Sequence, residues 1–486
     1  MAFDLATNTT LQVLGALGRG EVSSTEVLEA MIANIERHNP EVNAVVAMDL
    51  ERAQAEAAAA DDLYASGDER GPLHGLPMTI KDTYETLDLA TTAGDPQLAE
   101  HLAERDADIV RLLRRAGAII WAKTNVPIHA GDHQSYNELF GTTNNPWDLG
   151  RTAGGSSGGA AAAVACGMTT LEIGSDIGAS IRLPSSFNGV FGLKTTWGLI
   201  SGRGHIPGSP GSLTDGDLNV YGPIGRSCGD LRIALEILTG SQTAFGGAPG
   251  ATLPMFTSPP DIADLRIGIW SDDIVAPVDA VVKAAVGRVA VDLEAAGAFV
   301  DADVRPAVSS EEQFELYLRL LNSSMSTGHS REVFDSLVER AAAGADDAGT
   351  RFAQHATMSH RDWIRANEAR LRVGAAWAEV FDEVDVVIAP AVPVPAFPHD
   401  IERSYNQRTL LVNGEQHPYS NILFWAGIAT MPHLPAVTIP VATSPDGLPI
   451  GVQVIGPKWS DHKLLGMGEE IASVLGARFT PPPRVG

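Results

Sequence analysis

Between Gly154 and Arg182 the chain reads GGSSGGAAAAVACGMTTLEIGSDIGASIR, and side chains this small restrict what the segment can build. Two glycine-flanked serine sites, Ser156–Ser157 and Ser180, bracket a stretch that reads as a helix over Ala160 to Ala165. A helix start presents free N–H groups that stabilise negative charge. Gly174 to Ser180 reads as a tight turn entered from Leu171-Glu172-Ile173. Its small residues let backbone amides approach a substrate carbonyl, as an oxyanion hole requires. Glycine–serine runs are by themselves ordinary loop composition, so a second feature matters. Gly75-Leu76-Pro77-Met78-Thr79-Ile80-Lys81-Asp82 puts a lysine upstream. Two serines and one lysine suffice for a nucleophile, a proton relay and a base without histidine. Lys81 beside Asp82 also reads as a surface ion pair. Against that, the chain holds six lysines and 28 arginines, so lysine is not its usual surface filler.

The rest of the pattern alternates helices with apolar strands. Ser23 or Ser24 caps a helix that buries Val27, Leu28, Met31, Ile32 and Ile35, with Pro40 just beyond its end. Leu50 to Ala65 reads as an Ala/Glu-rich helix, Met78 to Lys81 as a strand, Ala107 to Ala116 as a helix stopped by Gly117, and Ala118 to Ala122 as a buried strand. The grammar repeats at Val281 to Ala296, Gly297 and Phe299-Val300. Leu265 to Trp270 and Asp385 to Ala389 read as further core strands. Such alternation predicts an α/β layer fold. The prolines of Pro390 to Pro398 predict an extended run over the surface, and Gly240 to Pro260 a long surface connection.

Composition excludes several functions. A formal net charge of −26 repels phosphate backbones, so no nucleic acid is expected as a direct partner. Two cysteines in 486 residues suit a reducing cytosol, and Cys166 reads as a packing thiol. The N-terminal residues carry no basic segment followed by an apolar core, and no apolar run is long enough to span a bilayer. A soluble cytoplasmic protein without membrane attachment is the expectation. Gly154 to Gly158 matches the G-x-S-x-G elbow, but Asn144 to Arg151 before it reads as loop rather than the buried strand an elbow needs. Lys194 has the wrong spacing for a P-loop, and Ser460-Asp461-His462-Lys463 matches S-x-x-K with no companion motif. The 13 histidines form no H-E-x-x-H, so neither metal nor cofactor is expected.

These motifs together resemble the amidase signature family. Its GGSSGG block is matched by Gly154 to Gly159, its GSD-x-GGSIR-x-P block by Gly174 to Pro184, and its G-x-P-x-x-x-K-D pattern by Gly75 to Asp82. Lys123-Thr124-Asn125, Asn145-Pro146-Trp147-Asp148, Phe191 to Lys194, Gly222-Pro223-Ile224 and Leu448 to Gln453 also resemble family stretches. The likeness runs from about Ser24 to about Leu475, with its signature core near residues 150–200. It implies one large α/β domain over 1–486, a central twisted mixed β-sheet covered by helices on both faces. It also implies a Ser–cisSer–Lys triad: Ser180 as nucleophile, Ser156 as bridging serine after a cis peptide from Gly155, and Lys81 as base. The N–H groups of Ile177, Gly178, Ala179 and Ser180 would hold the oxyanion, with Asp176 and Arg182 supporting the loop. A neutral lysine at position 81 requires burial to lower its pKa.

The chain departs from the family pattern at Ala179, where glycine is usual, and at Thr195, where proline is common. Gly131 replaces a larger residue, and His433 stands where glycine is frequent. Gly131, Asp132, His133, Gln134 and His433 are therefore the candidate substrate pocket, together with the aromatic segment from Tyr419. The function implied is hydrolysis of a linear amide, a small molecule, through an acyl-enzyme, with aryl esters or aryl carbamates as further substrates. The alternative is the glutamine-hydrolysing subunit of a tRNA-dependent amidotransferase, and a catalytically inactive binding protein ranks behind both. Oligomeric state stays open, a homodimer included.

Overall fold

Ser23 accepts from the Glu26 amide while the Glu26 carboxylate accepts from the Ser23 amide, and this reciprocal cap starts the helix Ser24–Val42. The computed structural model describes residues 4–66, 70–239, 258–345 and 347–485. Most of the expected surface connection at Gly240 to Pro260 lies outside them. The expected helices and strands form within two or three residues of their predicted bounds: Leu50–Ser66, Pro77–Lys81, Asp108–Arg115, Ile119–Thr124, Arg266–Ile269, Ala280–Ala295, Phe299–Asp301 and Val386–Pro390. Pro40 does not end its helix. Proline costs that helix one backbone bond, and the chain continues to Asn43, whose N–H reaches the Asn39 carbonyl at 2.8 Å.

The centre is a mixed eight-stranded sheet. Its spatial order is Phe299–Asp301, Arg266–Ile269, Val386–Pro390, Pro449–Ile455, Ala436–Thr443, Phe191–Lys194, Val220–Gly225 and Glu172–Asp176. The first three strands pair in parallel and the rest antiparallel. Successive side chains point to opposite faces of a strand, and the packing shows it. Val437, Ile439, Val452 and Val454 join one apolar cluster with Leu235, Val286 and Leu464, from three helices. Ala436 and Ile455 join another with Tyr317, Trp377 and Trp425. Helices thus cover both faces. A separate three-stranded sheet pairs Pro77–Lys81 in parallel with Ile119–Thr124, bringing Lys81 opposite Thr124.

Two local expectations change. Asp148–Thr152 is a strand of a surface ribbon with Asn144–Asn145, where loop was expected. It is largely unburied, so the elbow still lacks its buried strand. Pro390 to Pro398 is not a surface run. Its interleaved Ala391, Val392, Val394 and Ala396 are buried, the last three packing against Leu183, Phe187 and Tyr419. Among the described residues no helix is long and apolar enough to cross a membrane.

Candidate active site

Three chain segments meet at Lys81. The strand Pro77–Lys81 delivers the lysine at its last residue, the strand Glu172–Asp176 presents Ser175, and the turn before the helix Gly158–Ala165 presents Ser156 and Ser157. Lys81 Nζ lies 2.7 Å from Ser156 Oγ, 3.0 Å from Ser157 Oγ and 2.9 Å from Ser175 Oγ. The peptide Gly155–Ser156 is cis. A Cβ on Gly155 would sit 2.6 Å from the Asp132 carbonyl oxygen, and one on Gly174 would sit 2.8 Å from Ser157 Oγ. Only glycine lets these segments close on the amine.

Burial lowers the Lys81 pKa to about 7, although the charges of Asp176 and Glu172 oppose the shift. Burial acts likewise on Lys194, lowered to about 7, and Lys123, lowered to about 8. Their partners differ. Lys194 Nζ donates to the carbonyls of Thr195 and Leu434, and Lys123 Nζ to the Tyr84 carbonyl and Thr91 Oγ1. Carbonyls can only accept, whereas a hydroxyl both donates and accepts. Lys81 alone of the three has an all-hydroxyl shell, which accommodates an amine that has lost its proton.

Ser180 sits between the strand Glu172–Asp176 and the helix Arg182–Asn188. Asp176 and Arg182, both fully buried, form a two-point ion pair with distances of 2.8 and 3.0 Å. Burial would raise the Asp176 pKa, but the Arg182 charge and hydrogen bonds overcome it and hold it at about 2. Asp176 also accepts the amides of Ala179 at 3.0 Å and Ile181 at 3.1 Å, pinning the turn. The Ala179 N–H expected at the oxyanion position is thus already bonded. Ala179 adopts φ 76°, the backbone region where the family's glycine is at ease. Among the described residues none accepts from the amides of Ile177, Gly178 or Ser180, or bonds to Ser180 Oγ. The Ser157 amide donates to the Ser180 carbonyl at 3.2 Å and ties the two serine loops together.

Ser156, Ser175 and Ser180 line one cavity of 240 Å³. Ser180 also opens onto a second, of 560 Å³, whose wall includes Gly131, Asp132 and His133 with Phe314, Leu318, Leu321, Met325 and Leu423. Gln134 and His433 do not line either. Gln134 is spent on both backbone polar groups of Asp400. His433 stacks on Trp197 at 4.6 Å and bonds to Arg370. The apolar wall from residues 314–325 was not read from the sequence, because it is an ordinary amphipathic helix until the fold brings it over Ser180. Ser175 was also missed, although it lies inside the GSD motif.

A protein-family model described as Amidase matches residues 26–465. A curated relative, a glutamyl-tRNA(Gln) amidotransferase subunit of Roseiflexus sp. strain RS-1, is 31% identical over 482 residues, covering 93% of each chain. A solved amidase is 27% identical with a TM-score of 0.79, covering 96% of this chain and 99% of that one. A 6-aminohexanoate cyclic dimer hydrolase in complex with substrate is 26% identical with a TM-score of 0.77, covering the whole of both chains.

Proposed function

The chain belongs to the amidase family, and on that premise we propose that it hydrolyses a carboxamide through an acyl-serine intermediate on Ser180, with Ser156 as relay and Lys81 as base. The observation that carries this reading is the buried Lys81 amine, held among the described residues only by hydroxyls, beside a Ser180 Oγ that none of them engages. Ser180 Oγ attacks the carbonyl carbon while its proton passes to Ser156 and the Ser156 proton to the Lys81 lone pair. Catalytic hydrogen bonds are often long before substrate binds and tighten with it. The carbonyl π electrons move to oxygen, where the amides of Ile177, Gly178 and Ser180 lie nearby. Collapse of this tetrahedral species breaks the C–N bond, and the proton returns through Ser156 to the leaving nitrogen. Water then enters by the same route and releases the acid.

The apolar wall of the larger cavity supports an aryl or alkyl group on the substrate. Ester and carbamate carbonyls can undergo the same attack, so aryl esters and aryl carbamates fall within the reach of the site. The chain's buried, unpaired cysteines fit action in the cytoplasm. A second reading, hydrolysis of the glutamine side-chain amide as one subunit of an amidotransferase, is favoured by the name of the Roseiflexus relative. Within this chain it draws on Arg351 and Glu315 at the wall of the larger cavity, where a substrate carboxylate and ammonium need opposite charges. Assay of the purified chain alone on anilides, aliphatic amides, aryl carbamates and glutamine separates the two readings. Anilide turnover without a partner, abolished in Ser180→Ala, is the expected result. Activity on glutamine alone, and only with added subunits, would support the second reading. Undiminished turnover by Ser180→Ala would end both.

A further inference from the structure

The two cavities meet at Ser180, where Ala130, Gly131, Ile177 and Met325 line both. Away from that junction their walls differ. Of the two, Phe314, Leu318, Leu321, Phe352 and Leu423 line only the larger. Thr214, Asn219, Tyr221, Ser324 and Thr327 line only the smaller. The volumes differ as well, 560 Å³ against 240 Å³. Leu423 Cδ2 would sit 2.9 Å from a Cβ on Gly178, so this apolar group lies against the nucleophile turn on the larger side. Ser324 Oγ would sit 3.8 Å from a Cβ on Gly216, so these two residues face each other on the smaller side.

An amide carbonyl carbon carries three groups: the oxygen, the acyl chain and the nitrogen. With the oxygen turned toward the backbone amides of the nucleophile turn, the other two diverge from Ser180, and each cavity takes one. The chemistry decides which. A departing nitrogen needs a proton, and a group that supplies it must lie within hydrogen-bond reach. In the relay that group is Ser156, backed by Lys81 Nζ at 2.7 Å. Ser156 lines the smaller cavity and not the larger. The nitrogen therefore faces the smaller, polar cavity, and the acyl chain falls to the larger, apolar one.

We propose that the substrate is the amide of a bulky apolar acid with a small amine, the acyl group filling the larger cavity against Leu423 and the leaving amine occupying the smaller beside Ser324. The proposal rests on the acyl-serine reading and adds which end of the substrate carries the bulk. As the C–N bond breaks, its electron pair goes to nitrogen, which takes the Ser156 hydroxyl proton, and Ser156 recovers one from Lys81. The acid stays on Ser180 in the larger cavity until water replaces the serine oxygen. A cavity of about 150 Å³ holds benzene, so the single ring of an anilide still fits the smaller side. A larger apolar amine would desolvate Thr214, Asn219 and Ser324 without offering them a partner.

The test compares two isomeric amides that reverse the same bond, N-methyl-3-(2-naphthyl)propanamide and N-[2-(2-naphthyl)ethyl]acetamide. Both release an alkylamine, so their intrinsic reactivity is close. The propanamide should be hydrolysed with a kcat/KM about tenfold or more above that of the acetamide, the scale on which an apolar pocket discriminates. A smaller or reversed preference, or turnover of neither, would overturn the proposal. Leu423→Ala removes apolar contact from the acyl side and should lower that ratio several-fold. Ser324→Phe narrows the amine side and should raise it several-fold. Where Leu423→Ala does not fold, Ser324→Phe decides alone, and a ratio that it leaves unmoved or lowers would overturn the assignment of sides. The underlying reading is checked separately with the 4-nitrophenyl ester of 3-(2-naphthyl)propanoic acid, by mass mapping of the acylated peptide. Acylation away from Ser180 sinks the acyl-serine reading, whereas an acyl group on Ser180 beside a reversed amide preference removes only the assignment of sides.

Discussion

At the scale of single residues, the proposed chemistry depends on an amine that must lose its proton to work. With its pKa near 7, Lys81 is protonated and without a lone pair at lower pH. Turnover should therefore rise with pH through about 7 and then level, falling about tenfold for each unit below that point. A kcat/KM profile on an anilide checks this, and a profile flat through pH 7 would remove Lys81 as the base. Lys81→Met should lose a factor on the order of 10³ and the rising limb with it. The triad candidates were legible in the sequence because their chemistry sits in short motifs: Lys81, Ser156 and Ser180 each stand among glycines or small residues that fix a turn. Lys194 and Lys123 are buried as deeply, and burial alone does not tell them from Lys81. That distinction lies in the partners, which include carbonyls for those two and are hydroxyls alone for Lys81, and partners belong to the fold. Gln134 and His433 show the converse. Each departs from a pattern or adjoins the site in sequence, yet each is spent on local structure.

At the scale of elements, the nucleophile turn is a short connection between a strand and a seven-residue helix, and Asp176 holds it with one carboxylate. Asp176→Asn leaves the Arg182 guanidinium buried without its counter-charge, which costs about 3–5 kcal/mol. Urea denaturation at pH 7 should show that loss, and a change below about 1 kcal/mol would mean that the turn is held by other groups. The sign with pH follows from the lowered carboxylate. The pair's contribution is complete above the unfolded aspartate value of about 3.9 and disappears as pH falls toward about 2. Elements with a strong local signal were read well: glycine stops after Arg115 and Ala295, and apolar strands at 266–269 and 386–390. Proline misled twice. Pro40 sits in the last turn of its helix, where losing one bond is tolerable, and the prolines of 390–398 alternate with small apolar residues that the fold buries. In both, tertiary packing outweighed a local preference.

At the scale of the whole molecule, the site is held by contacts between residues hundreds of positions apart, and this is why the substrate cavity beyond the 131–133 loop could not be read in advance. Its wall combines residues 130–133, 177–180, 314–325, 348–355, 405–406 and 420–423, none of which carries a local mark of the others. Gln453 is the clearest node. From the sheet strand Pro449–Ile455 its Oε1 accepts from Arg182 at 2.9 Å, and its Nε2 donates to the carbonyls of Pro390 at 2.9 Å and Trp425 at 2.8 Å. One fully buried amide therefore joins the nucleophile helix, a neighbouring strand and the helix Asn421–Thr430. Gln453→Leu takes one hydrogen bond from each of three buried groups, at about 1 kcal/mol each, so a loss of about 3 kcal/mol is expected in urea. Because Asp176 and Gln453 share Arg182, their effects should not add. Residues in one network commonly couple by about 0.5–3 kcal/mol, while independent sites add to within about 0.5. The Asp176→Asn, Gln453→Leu double variant should thus lose at least 1 kcal/mol less than the sum of the single losses. Strict additivity would show that the nucleophile turn and the centre of the sheet are held separately, and that Arg182 does not transmit between them.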